Sequence, residues 1–140
     1  MSKFPNNDEK FAAVKALHLP AGEYAISSSG PLGARGIRAI GDIDIVVSDR
    51  LWDELAASHQ PTSEGGVLKI VMSPLIDVFS EKSFPDREPG APTVEQQIES
   101  ADVIDGLPFV NLRHILHFKE TMGRGKDAAD IQSIRTILNS

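Results

Sequence analysis

The segment 42–47, with the sequence DIDIVV, constrains the fold of this chain more than any other stretch. Side chains alternate between the two faces of a β-strand, so the spacing predicts Asp42 and Asp44 on one face, about 6.5–7 Å apart at Cα, and the apolar side chains in a core. Two carboxylates on one face repel each other without a counter-ion, and Mg²⁺ prefers one or two carboxylates plus substrate phosphates. The segment therefore predicts either a metal site or a solvated strand at a sheet edge.

Chance weakens the pair on its own, because 20 acidic residues in 140 give about three acid-x-acid pairs at random. The only other pair in the sequence, Asp86 and Glu88, lies in a proline-rich segment without β-branched residues. Asp77 strengthens the interpretation, since it interrupts the apolar run 75–79, where a charge is costly unless it is paired. If its strand lies beside segment 42–47, the three carboxylates form a cluster; the alternative is an edge aspartate facing water.

Composition excludes several classes of protein. The chain has no cysteine, which excludes disulfide scaffolds, cysteine-ligated metal sites and thiol catalysis. Its net charge of −6 argues against bulk binding of duplex DNA. The polar start MSKFPNNDEK does not resemble a secretion signal, and no apolar run approaches the roughly 20 residues that span a bilayer. We expect a cytoplasmic protein with no membrane contact and one domain over residues 1–140.

Hydrophobic periodicity predicts helices at both ends and short strands between them. The expected helices cover 8–17, 49–58, 111–122 and 126–138; the expected strands cover 23–27 and 42–47, with hairpins 67–72/75–79 and 101–104/107–110; 61–66 is expected to be a loop and 80–92 irregular. This pattern predicts an α/β (α+β) fold, with a small mixed sheet flanked by helices and a C-terminal helical pair over 111–138.

A stretch rich in glycine and serine precedes the acidic segment. Ser28 and Ser29 are followed by Gly30, Gly33 and Gly36. Small residues let backbone N–H groups approach phosphate oxygens, and serine hydroxyls add donors. The spacing matches neither a P-loop nor a dinucleotide-binding fingerprint, so an ordinary flexible loop is the alternative.

Together these motifs resemble the polymerase-β-type nucleotidyltransferase fold, particularly the minimal nucleotidyltransferases of bacteria and the abortive-infection nucleotidyltransferase toxins. That family has a Gly-Ser turn after a strand, then Asp-x-Asp on the next strand, and later a third Asp on another strand. Here Ser28–Ser29 precede Asp42 and Asp44, and Asp77 follows. Serine at position 28 replaces the family's glycine, which implies weakened or rearranged triphosphate binding.

The C-terminal part adds a second similarity. Residues 117–131, HFKETMGRGKDAADI, are similar to the family's lysine helix, its Arg-x-Lys-Asp turn and its last helix. The resemblance covers roughly 22–138 and implies that Lys119 meets nucleotide phosphates. From the residues alone, Lys119 equally fits a side chain that snorkels to solvent. Arg38 fits either a side chain folded back onto the carboxylates or a surface arginine.

The resemblance implies a nucleotidyltransferase dependent on Mg²⁺ or Mn²⁺, which moves a nucleoside monophosphate from an NTP, with ATP expected, to an unknown acceptor hydroxyl and releases pyrophosphate. The implied catalytic and metal-binding residues are Asp42, Asp44 and Asp77; the implied nucleotide-binding residues are Ser28, Ser29, Gly30, Arg38 and Lys119. A catalytically weak or inactive relative is the alternative, binding a nucleotide or a partner as part of a toxin–antitoxin type pair, with a small helical protein or a second copy as that partner. The simplest alternative is an acidic α/β domain with an incidental Asp-x-Asp.

Overall fold

The computed structural model describes residues 4–140, which contain six α-helices and seven β-strands. In chain order these are α1 (Pro5–Lys15), β1 (Tyr24–Ile26), α2 (Gly30–Ala34), β2 (Ile43–Val47), α3 (Asp49–Ala56), β3 (Thr62–Glu64), β4 (Val67–Ser73), β5 (Ile76–Phe79), α4 (Val94–Glu99), β6 (Asp102–Ile104), β7 (Leu107–Phe109), α5 (Leu112–Met122) and α6 (Ala128–Leu138). Short 3₁₀ turns lie at Glu81–Ser83 and Gly125–Asp127.

The strands form one mixed sheet in the order β3-β4-β5-β2-β1-β7-β6. The strand β2 lies in the middle, antiparallel to β1 and parallel to β5. The hairpins β4–β5 and β6–β7 extend the sheet on opposite sides. The predicted fold class is confirmed: a mixed α/β sheet with helices around it and a C-terminal helical pair, α5 and α6.

Helices cover both faces of the sheet, because the apolar side chains of β2 point alternately to each. The face that carries Ile43, Ile45 and Val47 packs on α1 and α3, and we call it the back face. The front face carries Val46 and packs on α4, α5 and α6. The front-face core consists of Ala25, Leu32, Val46, Val94, Val110, Leu112, Ile115 and Ile134.

Local capping explains where the best-predicted helices begin and end. The Ser48 hydroxyl accepts a hydrogen bond from the Leu51 N–H at 3.1 Å, which starts α3. The Asn111 side chain accepts one from the His114 N–H at 3.0 Å and starts α5. Gly123 ends α5 with a positive φ of 61°, a conformation that glycine adopts without steric cost.

Two local predictions were wrong, and one helix was not predicted. Segment 61–66 contains β3, an exposed edge strand whose polar sequence Thr62–Glu64 lacks the apolar alternation that identifies strands. The helix α4 was not predicted, although Thr93 and Gln96 form a capping box at its start. The first helix covers Pro5–Lys15 rather than 8–17, since it begins at a proline instead of an aspartate cap.

The glycine-rich stretch is a short helix, α2, rather than a flexible loop. A Cβ at Gly33 would lie 2.7 Å from Ile40 Cγ2, and one at Gly30 would lie 2.3 Å from Ile26 Cγ2. These two glycines therefore let α2 sit against the core. Across residues 4–140, none of the helices is both long enough and apolar enough to cross a membrane.

Candidate functional site

The parallel pairing of β2 and β5 places Asp44 directly opposite Asp77. Neighbouring strands lie about 4.7–4.9 Å apart, so the two side chains leave the same face of the sheet side by side. That face is the front face, because Val46, two residues after Asp44, belongs to its core. We call Asp44 and Asp77 the acidic row.

Asp42 lies one residue before β2 and is exposed, so it is not part of the strand that the sequence predicted for it. It is still close enough to act on Asp44 electrostatically. Burial raises the pKa of Asp44, and the charges of Asp77 and Asp42 raise it further. A hydrogen bond from the Ser28 hydroxyl to Asp44 Oδ2, 2.7 Å long, opposes part of this shift. Asp44 is thus a half-buried carboxylate with too little positive charge around it.

Sequence reasoning missed the cation beside the acidic row. The ammonium of Lys69, on β4, lies 3.3 Å from Asp77 Oδ2 and 2.6 Å from Glu64 Oε2. The hydrogen bond to Glu64 and, as a smaller effect, the hydrogen bond to Asp77 raise the pKa of Lys69. The predicted hairpin 67–72/75–79 places the strand that carries Lys69 beside the strand that carries Asp77, so the sequence already indicated this pair of neighbours.

The donor chemistry of the acidic row suits a hard divalent cation. Mg²⁺ takes oxygen ligands and commonly uses only one or two carboxylates, with substrate phosphates and water supplying the rest. Asp44 and Asp77 provide two such carboxylates on adjacent strands. In the part of the chain that the structure describes, no three His, Cys, Asp or Glu side chains are grouped closely enough to hold a metal ion by themselves.

Ser28 has a backbone φ of +53°, in the left-handed region that favours glycine. For a residue with a side chain this conformation costs roughly 1–2 kcal/mol. The loop is held to β2 by a hydrogen bond from the Ser27 N–H to the Asp44 carbonyl at 2.8 Å. The same loop directs the Ser28 hydroxyl to the Asp44 side chain.

Backbone groups of Ser29 and Gly30, the two residues after Ser28, form hydrogen bonds within the loop and the start of α2. The Gly30 N–H donates to the Ser27 carbonyl at 3.0 Å, and the Ser29 carbonyl accepts from the N–H groups of Leu32 and Gly33. Within residues 4–140, the N–H groups of Ser28 and Ser29 have no backbone acceptor. Among the three residues expected to bind phosphate, Ser28, Ser29 and Gly30, the amides of Ser28 and Ser29 are therefore the ones that remain able to donate a hydrogen bond to a ligand.

Arg38 points to the C-terminal helices rather than to the acidic row. Its Nε and Nη2 donate to the two carboxylate oxygens of Asp130, both at 2.7 Å. The Lys119 ammonium lies 3.1 Å from Asp127 and 3.1 Å from Asp130, and Lys119 is only 9% exposed. Arg124 Nε donates to the second oxygen of Asp127 at 2.7 Å. We call these five residues the ion network.

Opposing effects act on the two carboxylates of the ion network. Burial alone would raise the pKa of Asp127, but hydrogen bonds from Arg124 and Lys119 outweigh it and lower that pKa. The hydrogen bond from Arg38, helped by Lys119, lowers the pKa of Asp130 against the effect of burial. Three cations thus meet two carboxylates, which leaves one positive charge in the network.

A cleft of about 660 Å³ joins these features on the front face. This size lies within the roughly 300–1,000 Å³ range of small-molecule sites. Ser28 and Asp44 line one part of it, and Lys119 and Arg124 bring the positively charged network to its wall. Asp42, Asp77, Ser29, Gly30 and Arg38 lie outside its lining. The structure therefore brings three of the predicted site residues to one cavity, with Asp77 adjacent.

Compared with models of known protein families, the chain matches none. No curated protein matches it either. The resemblance to nucleotidyltransferases therefore rests on the sequence motifs alone.

Proposed function

We propose that this protein is a divalent-cation-dependent nucleotidyltransferase, acting on an NTP, with ATP the first candidate. The observation that supports it most strongly is the acidic row. Asp44 is half-buried, lacks sufficient counter-charge, and lies beside Asp77 at the edge of a cleft that Lys119 and Arg124 also line. A carboxylate in a cleft that cations also line, with a second carboxylate beside it, suits a metal-bound polyphosphate, which carries both kinds of charge. The proposal implies action in the cytoplasm, where NTPs are available.

Asp44 and Asp77, with Asp42 beside them, would hold Mg²⁺ or Mn²⁺, which would offset charge on the attacking and leaving oxygens. The acceptor hydroxyl oxygen bonds to the α-phosphorus while the bond from that phosphorus to the bridging oxygen breaks. Pyrophosphate leaves with the bonding electron pair, and Asp77 takes the hydroxyl proton. Lys119 and Arg124 stabilise the negative charge of the phosphates from the cleft wall.

The proposal is tested by calorimetric titration of the protein with each NTP, with and without Mg²⁺, beside Asp44→Asn. We expect binding that requires Mg²⁺ and weakens at least tenfold in the variant, because the amide is a poor ligand for a hard cation. Asp53→Asn is the matched control, since Asp53 pairs with Lys82 at the surface and does not line the cleft. NTP binding that ignores both Mg²⁺ and Asp44→Asn would contradict the proposal.

A second candidate function is a nucleotidyltransferase-like protein that binds a nucleotide or a partner without efficient transfer. The specific observation in its favour concerns Ser28. Its hydroxyl donates a hydrogen bond to an Asp44 carboxylate oxygen, and its side chain is at the position where the family has glycine. Such a protein would work with a small helical partner or a second copy, as in a toxin–antitoxin type pair. Pyrophosphate release from bound ATP in the presence of acceptors distinguishes the two, because only the enzyme produces it.

A further inference from the structure

The front face of β2 and β5 carries a second row next to the acidic row. Val46 lies opposite Phe79 in the same parallel register that pairs Asp44 with Asp77. Two residues along a strand correspond to about 6.6 Å, so an apolar row follows the acidic row at that distance. Val46 and Phe79 both line the cleft, which therefore changes from acidic to apolar along the strands.

An aromatic side chain extends this apolar part toward solvent. Phe84 stacks on Phe79 with ring centroids 5.8 Å apart and an interplanar angle of 23°. It lies in the segment between the 3₁₀ turn Glu81–Ser83 and α4, lines the cleft, and is 36% exposed. Phe118 and Met122 of α5 line the same cavity, and Met122 is exposed. An exposed ring supported from behind by a second ring is a ready stacking surface.

The arrangement matches the polarity of a nucleotide from one end to the other. A nucleoside triphosphate has an anionic tail and a flat aromatic base, separated by one ribose. The cleft is lined by Asp44, with Asp77 beside it, by the cations Lys119 and Arg124 of the ion network, and by Phe79 one row further along the sheet, with Phe84 stacked on it. Bases of any kind stack on aromatic side chains, since each has a π-face.

We propose that the apolar part of the cleft binds the nucleobase of the triphosphate, with Phe84 as the stacking surface. This inference rests on the proposed function and adds a residue that contacts the base rather than the phosphates. It places the base on the proline-rich segment 84–92, outside the predicted catalytic and nucleotide-binding residues. Stacking alone predicts little discrimination among the four bases.

The test compares ATP with inorganic tripolyphosphate, both with Mg²⁺, by calorimetry. Phe84→Leu keeps an apolar side chain but removes the ring, so it should raise the Kd for ATP about tenfold and leave tripolyphosphate binding unchanged. Phe84→Tyr keeps the ring and should bind ATP like the wild type. Ile137→Ala is the control, because Ile137 is equally exposed but lies on α6, away from the cleft.

Phe84→Trp supplies a second readout that does not depend on loss of binding. The protein's own tryptophan, Trp52, is 3% exposed and packs on the back face, so its emission should respond little to the cleft. ATP should change the emission of the new tryptophan, and tripolyphosphate should not.

The outcomes separate this inference from the proposed function. If ATP and tripolyphosphate both bind with Mg²⁺ but Phe84→Leu leaves ATP binding unchanged, the base lies elsewhere and only this inference fails. If Phe84→Leu weakens both ligands equally, Phe84 has a structural role, and the inference also fails. If neither ligand binds the wild type, the proposed function fails and the inference fails with it.

Discussion

Asp44 and Ser28 each have a local arrangement that is energetically unfavourable in the free protein. A half-buried carboxylate lies beside two other carboxylates, and a serine in a left-handed conformation supplies a hydroxyl to it. Neither arrangement favours the folded state on its own. Proteins commonly retain such local costs where a ligand later offsets them.

The charge on Asp44 should therefore destabilise the free protein at neutral pH. Because its pKa is raised by folding, the folded state holds the proton more tightly than the unfolded state, and stability falls as pH rises through the folded pKa. Asp44→Asn removes the charge but keeps an oxygen that can accept the Ser28 hydrogen bond. We expect Asp44→Asn to raise Tm by a few degrees at pH 7, measured by thermal unfolding without ligand.

The pH dependence provides the check on that expectation. The gain in Tm should shrink as pH falls through the raised pKa of folded Asp44, and it should be gone well below pH ~4, the ordinary value for an aspartate, where Asp44 is protonated in both the folded and unfolded wild type. The surface variant Asp53→Asn should show no such gain, since it loses an ion pair with Lys82. A fall in Tm for Asp44→Asn at pH 7 would mean that Asp44 supports the fold rather than a ligand site.

At the scale of elements, the ion network connects parts of the chain that are distant in sequence. Arg38 precedes β2, and its partner Asp130 lies 92 positions later on α6. Lys119 of α5 joins the same carboxylate from a third direction. The network therefore sets the position of the C-terminal pair against the segment that leads into the acidic strand.

We expect Asp130→Asn to lower the free energy of unfolding by about 1–3 kcal/mol, measured by urea denaturation followed through Trp52 fluorescence. Removing one partner of a buried pair costs roughly 3–5 kcal/mol, and we reduce that range because the Arg38 side chain is 40% exposed. Asp102→Asn is the matched control, since it breaks an Arg–Asp contact with Arg35 that is half exposed and worth at most about 1 kcal/mol.

The difference in the free energy of unfolding between the wild type and Asp130→Asn should become smaller at acid pH. The pKa of Asp130 is lowered in the folded state, so its stabilising contribution is complete above the unfolded pKa and is lost as pH falls through the folded pKa. A difference that stays constant from pH 7 down to pH 2 would show that the ion pairs do not supply this stability.

For the whole molecule, β2 is the structural link between the two cores. Ile45 is fully buried on the back face and Val46 is buried on the front face, in consecutive positions of one strand. Neither face keeps its core if this strand is lost. Residues 4–140 should therefore unfold as one unit, as expected of a small domain.

Coincidence of two probes tests this cooperativity. Trp52 fluorescence reports the back face, whereas far-UV circular dichroism reports the helices on both faces. The two urea transitions should share one midpoint. Ile134→Ala, in the front-face core, should move both midpoints together and lower the free energy of unfolding by about 2–5 kcal/mol. A Trp52 transition that stays in place would show that the two faces unfold independently.

The sequence alone determined the parts of this protein whose signals are local. The run 43–47 forms a strand because its β-branched residues favour the extended conformation. The helices α3 and α5 begin at the polar capping residues Ser48 and Asn111, which are visible in the sequence. Both hairpins follow from short apolar runs separated by turn residues. The polar edge strand β3 had no such signal, since edge strands need little apolar surface.

Only the tertiary structure decided what the site residues contact. The parallel register of β2 and β5 pairs Asp44 with Asp77, and no local pattern specifies that these strands become neighbours when α3, β3 and β4 lie between them in the chain. Arg38 reaches Asp130 for the same reason: long-range partners are set by the packing of whole elements. Residue types are set by sequence, but the distances between charges follow from how the sheet and helices share one core.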